Sequence, residues 1–381
     1  MQGPRDVAGQ STAIAVLTPS RRAWAGWLRA DFAALDRFKG WRNQQQPSRP
    51  VRRLSFISFA RWAVTDRLGE RKLPYPYILF QSNFNGASAE YFEAFGRGLK
   101  WRMRGLWAGA YGVPDPSKLI AFDEYIRRHW VPCDHYYCAY PQATTKTILS
   151  GLELRRAFLD FAAAAPSLPA AEFRTELSRL VQVLQRPVAD PGLRSITDEA
   201  RPEEAGKPVI NRDGFCALTT VPDSNEGSLR AHLRRLPTGM LSPMIRVPGT
   251  HYARWAVVQL RDPAGGRIPD QTYLLFSAEF DGELDAYLAD LLRGLGEDAR
   301  GIYEQSSWDE GRQSLTEYLL EHRVRPGYSV VAYPGVGLDD VRAAFALQER
   351  LGDFLVRTST LDPPALKTAW DHRFRGFRAA A

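Results

Sequence analysis

The sequence is poor in cysteine, in long apolar runs and in any recognisable leader. Its three cysteines, Cys133, Cys138 and Cys216, are too few in 381 residues for a secreted scaffold held by disulfides. No apolar stretch approaches the roughly 20 residues that a membrane-spanning helix needs. The first residues also lack the charged head and apolar core of a signal peptide. From these absences we expect a cytoplasmic protein.

Acidic residues are scarce near the start of the chain. The sequence carries 50 lysines and arginines against 43 aspartates and glutamates, a net charge of +7. Residues 1–53 hold ten basic and three acidic residues, so this segment accounts for the whole excess. A basic segment can contact nucleic acid, an anionic membrane or an acidic partner. Because these charges form no dense run, we expect a solvated helix face and no nucleic-acid partner.

The rest of the composition is that of a globular protein, with 44% hydrophobic residues, and it contains an internal repeat. Four segments recur in the same order, and their offsets differ only by loop lengths. They are residues 59–64 and 252–257, 79–86 and 275–282, 124–129 and 317–322, and 139–141 and 332–334. Chance does not preserve order and spacing over such a distance, so we interpret the chain as a duplication.

Each copy predicts the element order β-α-β-β-α-β followed by a closing helix, which is the ferredoxin-like arrangement. The first copy is assigned to residues 12–186 and the second to residues 213–360. A polar, proline-containing linker at 187–212 joins them, and a basic tail at 361–381 follows. A sheet with helices on one face must cover its other face. We therefore expect an α+β protein whose two ferredoxin-like repeats pack sheet to sheet as an intrachain pseudo-dimeric α/β barrel.

Residues 241–258 contain a strand that reads His-aromatic-Ala-Arg-aromatic, and a Phe-Asp-Gly turn follows at 280–282. In these motifs the chain resembles tandem-repeat bacterial proteins of uncharacterised function in the dimeric α/β-barrel superfamily. The duplicated architecture is also distantly similar to that of dye-decolourising peroxidases, which place an aspartate of a Gly-x-x-Asp-Gly motif near haem. That resemblance implies haem binding near Asp281, although the residues before Asp281 lack the leading glycine.

Arg61 and Arg254 occupy matching positions in otherwise apolar strands. A buried guanidinium needs partners, because an unpaired buried charge is costly. Two interpretations remain open. The arginines clamp an anion or a haem propionate inside the barrel, or they form fixed salt bridges with an acid such as Glu279 or Asp281. We favour the salt bridge.

His251 is the strongest candidate for chemistry, because it opens the second-copy strand where the first copy has Ser58. It can act as an acid/base or as a haem ligand, and a purely structural hydrogen-bonding role is the alternative. His129 and His322 match each other, and we expect them to cap helix ends. We predict no metal site at Cys133, because the spacing of the nearby cysteines and histidines is not a usual ligand pattern.

Two functions follow. The first is a peroxidase-like oxidoreductase, either haem-binding or cofactor-free, that acts on a small apolar ligand in a cavity between the repeats. His251 and Arg254 are its predicted catalytic residues, and Arg61 and Asp281 join them around any cofactor. The alternative is a non-catalytic binding or scaffold module, in which the basic N-terminal region contacts an acidic partner or an anionic membrane surface.

Overall fold

The computed structural model describes residues 5–39, 56–98, 100–115, 117–185, 209–211 and 213–375. Two compact units divide the chain. The first joins the residues up to Thr144 with Ile210–Ala332, and the second joins Thr145–Val209 with Tyr333–Ala381. The units therefore cut across the two predicted repeats, and the linker predicted at 187–212 lies almost wholly outside the described residues. No helix in the described ranges is long and apolar enough to cross a bilayer.

The first unit contains the nine described strands together with helices, whereas the described part of the second unit is helical. The strands are β1 (Val7–Ala8), β2 (Ser11–Pro19), β3 (Ile57–Leu68), β4 (Arg71–Asn85), β5 (His135–Cys138), β6 (Phe215–Val221), β7 (Thr250–Arg261), β8 (Arg267–Phe280) and β9 (Tyr328–Val331). The α-helices are α1 (Arg22–Lys39), α2 (Ser88–Gly98), α3 (Lys100–Trp107), α4 (Leu119–Arg128), α5 (Thr145–Ala164), α6 (Ala170–Gln185), α7 (Glu226–Arg235), α8 (Leu284–Leu295), α9 (Glu297–Tyr303), α10 (Leu315–Glu321), α11 (Leu338–Thr358) and α12 (Pro363–Phe374).

The strands form two antiparallel sheets, with the orders β1-β2-β4-β3-β9 and β5-β7-β8-β6. The predicted α+β class is therefore confirmed. The last strand of each sequence half lies in the sheet of the other half, since β5 pairs with β7 and β9 pairs with β3. Two self-contained ferredoxin-like repeats are not confirmed.

The segment between α4 and β5 bonds to both sheets. Leu17 donates its backbone N–H to the carbonyl of His129 (3.1 Å), and Val131 donates to Ala15 (2.8 Å), so the chain first runs beside β2. The N–H of Asp134 then donates to the carbonyl of Trp255 (2.8 Å), which starts β5 on β7. These hydrogen bonds satisfy backbone N–H and C=O groups that a free strand edge would leave exposed.

The second half repeats the same path. Leu218 donates to the carbonyl of His322 (3.1 Å), Val324 donates to Cys216 (2.8 Å), and Gly327 donates to Trp62 (2.8 Å). The first half has additional side-chain hydrogen bonds at this point, because it has Asp134 where the second half has Gly327. The buried carboxylate of Asp134 accepts from the Val257 N–H (2.9 Å) and from two arginines of α7, Arg230 and Arg234.

Side chains alternate across each strand, so each sheet has an outer and an inner face. The outer faces carry the larger aromatics and pack on helices, with Trp62 and Phe80 in one cluster and Trp255 and Phe276 in the other. The inner faces of both sheets meet in a further apolar cluster. Its members are Ala15, Leu17, Ala63, Leu68, Leu73, Tyr77, Leu79, Val131, Cys216, Leu218, Ala256, Val258, Leu260, Tyr273, Leu275 and Val324.

The second unit is a group of helices with an aromatic core. Phe158, Phe173 and Trp370 are buried in it, and they belong to α5, α6 and α12. Helix α12 corrects the tail predicted at 361–381: Asp362 caps it by accepting from the Ala365 N–H (2.9 Å), and its apolar side is buried. The arginines of this stretch suggested a solvated tail, but leucine and aromatic residues at helical spacing decide its packing.

The matching histidines end helices as expected. The Nδ1–H of His129 donates to the carbonyl of Tyr125 (2.9 Å), and that of His322 donates to Tyr318 (2.9 Å). Burial lowers the pKa of His129, so its ring is neutral at pH 7 and acts as a hydrogen-bond cap. An interaction of a histidine cation with the helix dipole therefore does not explain the cap at His129.

His135 makes the first unit sensitive to acid. Burial first, and then the Arg5 cation, lower the pKa of His135 to about 4, while its Nε2 bonds to the Ser242 hydroxyl (3.0 Å). An unfolded histidine binds a proton near pH 6.5, so between about pH 6.5 and 4 the unfolded state binds more protons. The free energy of unfolding should fall by about 3 kcal/mol over this window because of His135 alone.

Urea unfolding of the wild type and of His135→Gln, followed at a series of pH values, measures this effect. The wild type should lose more stability than the variant as the pH falls from about 6.5 to 4. Equal losses in the two proteins would show that His135 does not carry the effect.

Candidate functional site

His251 lies at a β-bulge at the start of β7. The pairing of β7 with β8 runs from Thr250 opposite Phe280 directly to Tyr252 opposite Glu279, so His251 is the extra residue. Bulges of this kind redirect a side chain and are frequent beside functional sites. The ring of His251 is fully buried.

Both ring nitrogens of His251 are hydrogen-bonded. Nδ1 lies 2.9 Å from the hydroxyl of Tyr140, which follows β5, and Nε2 lies 2.7 Å from Oδ1 of Asp281, which follows β8. Tyr140 and the Asp281 side chain are only 7% and 8% exposed. Three segments, one of them from the first half of the sequence, therefore bring a phenol, an imidazole and a carboxylate into one hydrogen-bonded chain.

The direction of these hydrogen bonds is assigned from the network, for Asp281 as a carboxylate and His251 as a neutral imidazole. An ionised carboxylate can only accept, so the imidazole Nε2 carries a hydrogen and donates it to Asp281. A neutral imidazole then accepts at Nδ1, where the Tyr140 hydroxyl donates. The result is a continuous path along which a proton can move from the phenol towards the carboxylate.

The hydrogen bonds of His251 also decide whether it can act as an axial ligand of haem. An axial histidine offers iron the lone pair of one ring nitrogen while the other nitrogen donates to a supporting acceptor. In His251 the Nε2–H supplies such a donation, to Asp281, but the Nδ1 lone pair is directed to Tyr140. The residues therefore do not fit haem ligation by His251.

The first half of the sequence shows what the bulge requires. Ser58 occupies the equivalent bulge in β3, and its carbonyl accepts from the Ala332 N–H (3.0 Å), as the carbonyl of His251 accepts from Ala139 (2.9 Å). The backbone geometry is therefore the same with serine, and the fold itself does not need an imidazole. Asp281 likewise matches Asn85, whose side-chain amide donates to the carbonyl of Gln10 (2.8 Å).

Arg61 lies between the sheets and forms a buried salt bridge. Its Nη2 donates to Oε1 of Glu279 (2.6 Å), and its Nη1 donates to the carbonyl of Asp213 (3.0 Å). Arg61 and Glu279 are both almost completely inaccessible to solvent. The pair joins β3 of one sheet to β8 of the other. Arg61 therefore forms the fixed salt bridge that was the structural alternative to an anion clamp.

Arg254 occupies the matching place on β7, but its partners are neutral. Its Nη1 donates to the carbonyl of Ile14 (2.7 Å), and its Nη2 donates to Oδ1 of Asn83. Asn83 stands at the register position of Glu279, so one arginine faces an acid and the other an amide. Among the described residues Arg254 has no acid within salt-bridge distance, and its Nη atoms point at the chain's own oxygens rather than outward to an anion.

The space predicted to hold a small ligand contains these side chains. Gln81 on β4 donates to the hydroxyl of Ser277 on β8 (3.1 Å), which completes a polar layer between the sheets. Two clefts of about 350 and 190 Å³ adjoin each other elsewhere, beside α1 and β9, and Phe32 and Tyr328 line both of them.

The basic N-terminal region is partly described. Arg22 donates to the carbonyl of Pro74 (3.2 Å), and Arg29 pairs with Asp66 (2.6 Å), so both are engaged with the first unit. Four further arginines of the region lie outside the described residues: Arg42, Arg49, Arg52 and Arg53. In the same described ranges no three His, Cys, Asp or Glu side chains come together as metal ligands.

Sequence reasoning singled out His251 and Asp281 but did not connect Tyr140 with them. The available signal was the repeated Ala-Tyr-Pro segment, which ends the last strand of each half. The connection needs the exchange of β5 into the sheet of the second half, because only this exchange brings Tyr140 to His251. A comparison with known protein families found none that matches the chain, and a comparison with curated proteins found no relative.

The salt bridge between the sheets generates a prediction. Removing one partner leaves an uncompensated buried charge, so Arg61→Met or Glu279→Leu alone should cost about 3–5 kcal/mol of unfolding free energy. The double variant should lose less than the sum, because it leaves neither charge behind. The half-buried pair Arg127 and Asp123 on the helix surface is the control, with a coupling of less than about 1 kcal/mol. Additive losses at Arg61 and Glu279 would contradict the pairing.

Proposed function

We propose that this protein is an enzyme that performs acid–base chemistry on a small, largely apolar substrate without a haem ligand at His251. The observation that carries the proposal is the buried chain from Tyr140 through His251 to Asp281, with hydrogen bonds of 2.9 and 2.7 Å. Tyr140 is the group that exchanges a proton with the substrate. His251 is the base that takes the phenol proton, and Asp281 positions the imidazole and stabilises its charged form.

The divergence of the two halves supports a function for this chain rather than a purely structural role. Ser58 maintains the same bulge and backbone bond in the first half, so an imidazole–carboxylate pair is an addition to the fold.

The reaction class follows from what a phenol–imidazole–carboxylate chain can do. It can remove a proton from a weakly acidic C–H or O–H group and return it elsewhere, as in an isomerisation. The oxidoreductase form of the proposal adds dioxygen as the acceptor of electrons from the deprotonated substrate. Arg254 has a positioning role in it, because it ties β7 to β2 and β4 through Ile14 and Asn83.

The architecture we propose for this function is the pseudo-dimeric α/β barrel of two ferredoxin-like halves. It is supported by the segments around His129 and His322, which bond to β2 and β6, respectively, and each of which then enters the other sheet. The alternative module, in which residues 1–53 bind an acidic partner or an anionic surface, stays a prediction. Its described arginines Arg22 and Arg29 already bond within the first unit.

Proton abstraction can be tested before the natural substrate is known. The protein is incubated in D₂O with a panel of small apolar ketones, nitroalkanes and phenols, and deuterium uptake and oxygen consumption are followed by mass spectrometry and an oxygen electrode. We expect deuterium uptake into at least one carbon acid. His251→Asn and Tyr140→Phe should each lower its rate by about a hundredfold or more.

Ser58→Ala is the matched control, because it changes the equivalent bulge of the other half and should leave the rate unchanged. The proposal fails if the wild type exchanges no member of the panel, or if His251→Asn exchanges as fast as the wild type.

A further inference from the structure

An exposed apolar cluster lies on the segment that leads into β7. Met240 and Leu241 are 71% and 78% exposed, and Ile245 is 39% exposed. Among the described residues nine large hydrophobic side chains are exposed, and three of them fall within these six positions. Scattered exposed hydrophobics need no explanation, but a cluster of them marks a contact surface.

The backbone that carries these side chains is firmly anchored. The segment consists of two short 3₁₀ turns, Gly239–Leu241 and Pro243–Arg246. Between and within them Ser242 and Met244 are fully buried, and the Ser242 hydroxyl bonds to Nε2 of His135 (3.0 Å). The apolar side chains are therefore presented outward by a fixed turn rather than by a free loop.

The sequence around the segment is rich in arginine, but Arg230 and Arg234 bind Asp134, and Arg254 is buried between the sheets. Residues 227–261 contain six arginines and neither aspartate nor glutamate. Arg235 precedes the segment, is exposed, and has no ion pair among the described residues. Arg246 ends the segment, donates to the carbonyl of Gly294 (2.7 Å) and binds Asp298, the acid that approaches from the neighbouring helix.

We propose that the segment Gly239–Arg246 docks this protein on the surface of an anionic lipid bilayer. Met240, Leu241 and Ile245 enter the boundary between headgroups and acyl chains, while Arg235 faces the lipid phosphates and carboxylates. Three side chains on a tight turn fit a fluid apolar layer, which needs no matched shape. A stable protein interface needs about 800 Å² from each partner, more than these three side chains can supply.

The segment also connects the lipid surface to the proposed chemistry, although the docking does not depend on it. Three residues after the segment, the carbonyl of Gly249 accepts from the Asp281 N–H (3.0 Å), and His251 follows two residues later. An apolar substrate dissolved in the bilayer would therefore arrive close to the acid–base chain.

Co-sedimentation of the full chain with vesicles tests the proposal. Vesicles of phosphatidylcholine containing phosphatidylserine should bind the wild type, and binding should weaken as salt is added. The double variant Met240→Asp, Leu241→Asp should bind the vesicles at least about tenfold more weakly. Arg235→Glu should lose the preference for phosphatidylserine. Because these side chains are exposed, circular dichroism and thermal midpoints should not change.

Ile120→Asp is the matched control, because Ile120 is 79% exposed on α4 and should not contribute to binding. The proposal is overturned if the wild type does not sediment with phosphatidylserine vesicles, or if the double variant sediments equally well. It is also overturned if the double variant instead abolishes a dimer seen by gel filtration, since that result would assign the cluster to a second copy of the chain.

Discussion

The exchange of the last strand between the two sequence halves is the constraint on which the first unit depends. β5 finds its backbone partners on β7, and β9 finds its partners on β3. Neither half can satisfy these groups alone, because unpaired buried N–H and C=O groups are costly. The two sheets must therefore form together. The position of every side chain between or beside them then depends on both sheets being folded.

The polar layer between the sheets and the His251 site are both products of this exchange. Register places Tyr136 of β5 opposite Arg254, and Ser329 of β9 opposite Arg61. The same exchange brings Tyr140 to His251 just beyond β5. The buried arginines hold the two sheets against each other, and this arrangement of the sheets positions the phenol–imidazole–carboxylate chain.

Much of the fold was readable from the sequence, because periodicity and duplication report local structure. The strand at 252–257, its hairpin partner and the helix ends at His129 and His322 follow from alternation, turn residues and repetition. The partner of β5 was not readable, because a four-residue strand pairs equally well by its pattern with either sheet. The prediction of a basic tail rested on its arginines and did not consider Leu366, Trp370 and Phe374, which pack α12.

The candidate site was predictable only in part. The loss of symmetry between Ser58 and His251 identified one residue, and the Asp-Gly turn identified another. Tyr140 depends on a contact between residues 111 positions apart, which no local pattern encodes. Glu279 was anticipated as one of two acids, and geometry assigns it to Arg61 and leaves Asp281 to His251.

Native-state hydrogen exchange followed by mass spectrometry tests the interdependence of the two halves most directly. Strands β5 and β9 should exchange as slowly as β4 and β8, and both sheets should open in a single cooperative step as urea is raised. If residues 57–85 lost protection in a step separate from residues 250–280, the halves would be independent and this account would be contradicted.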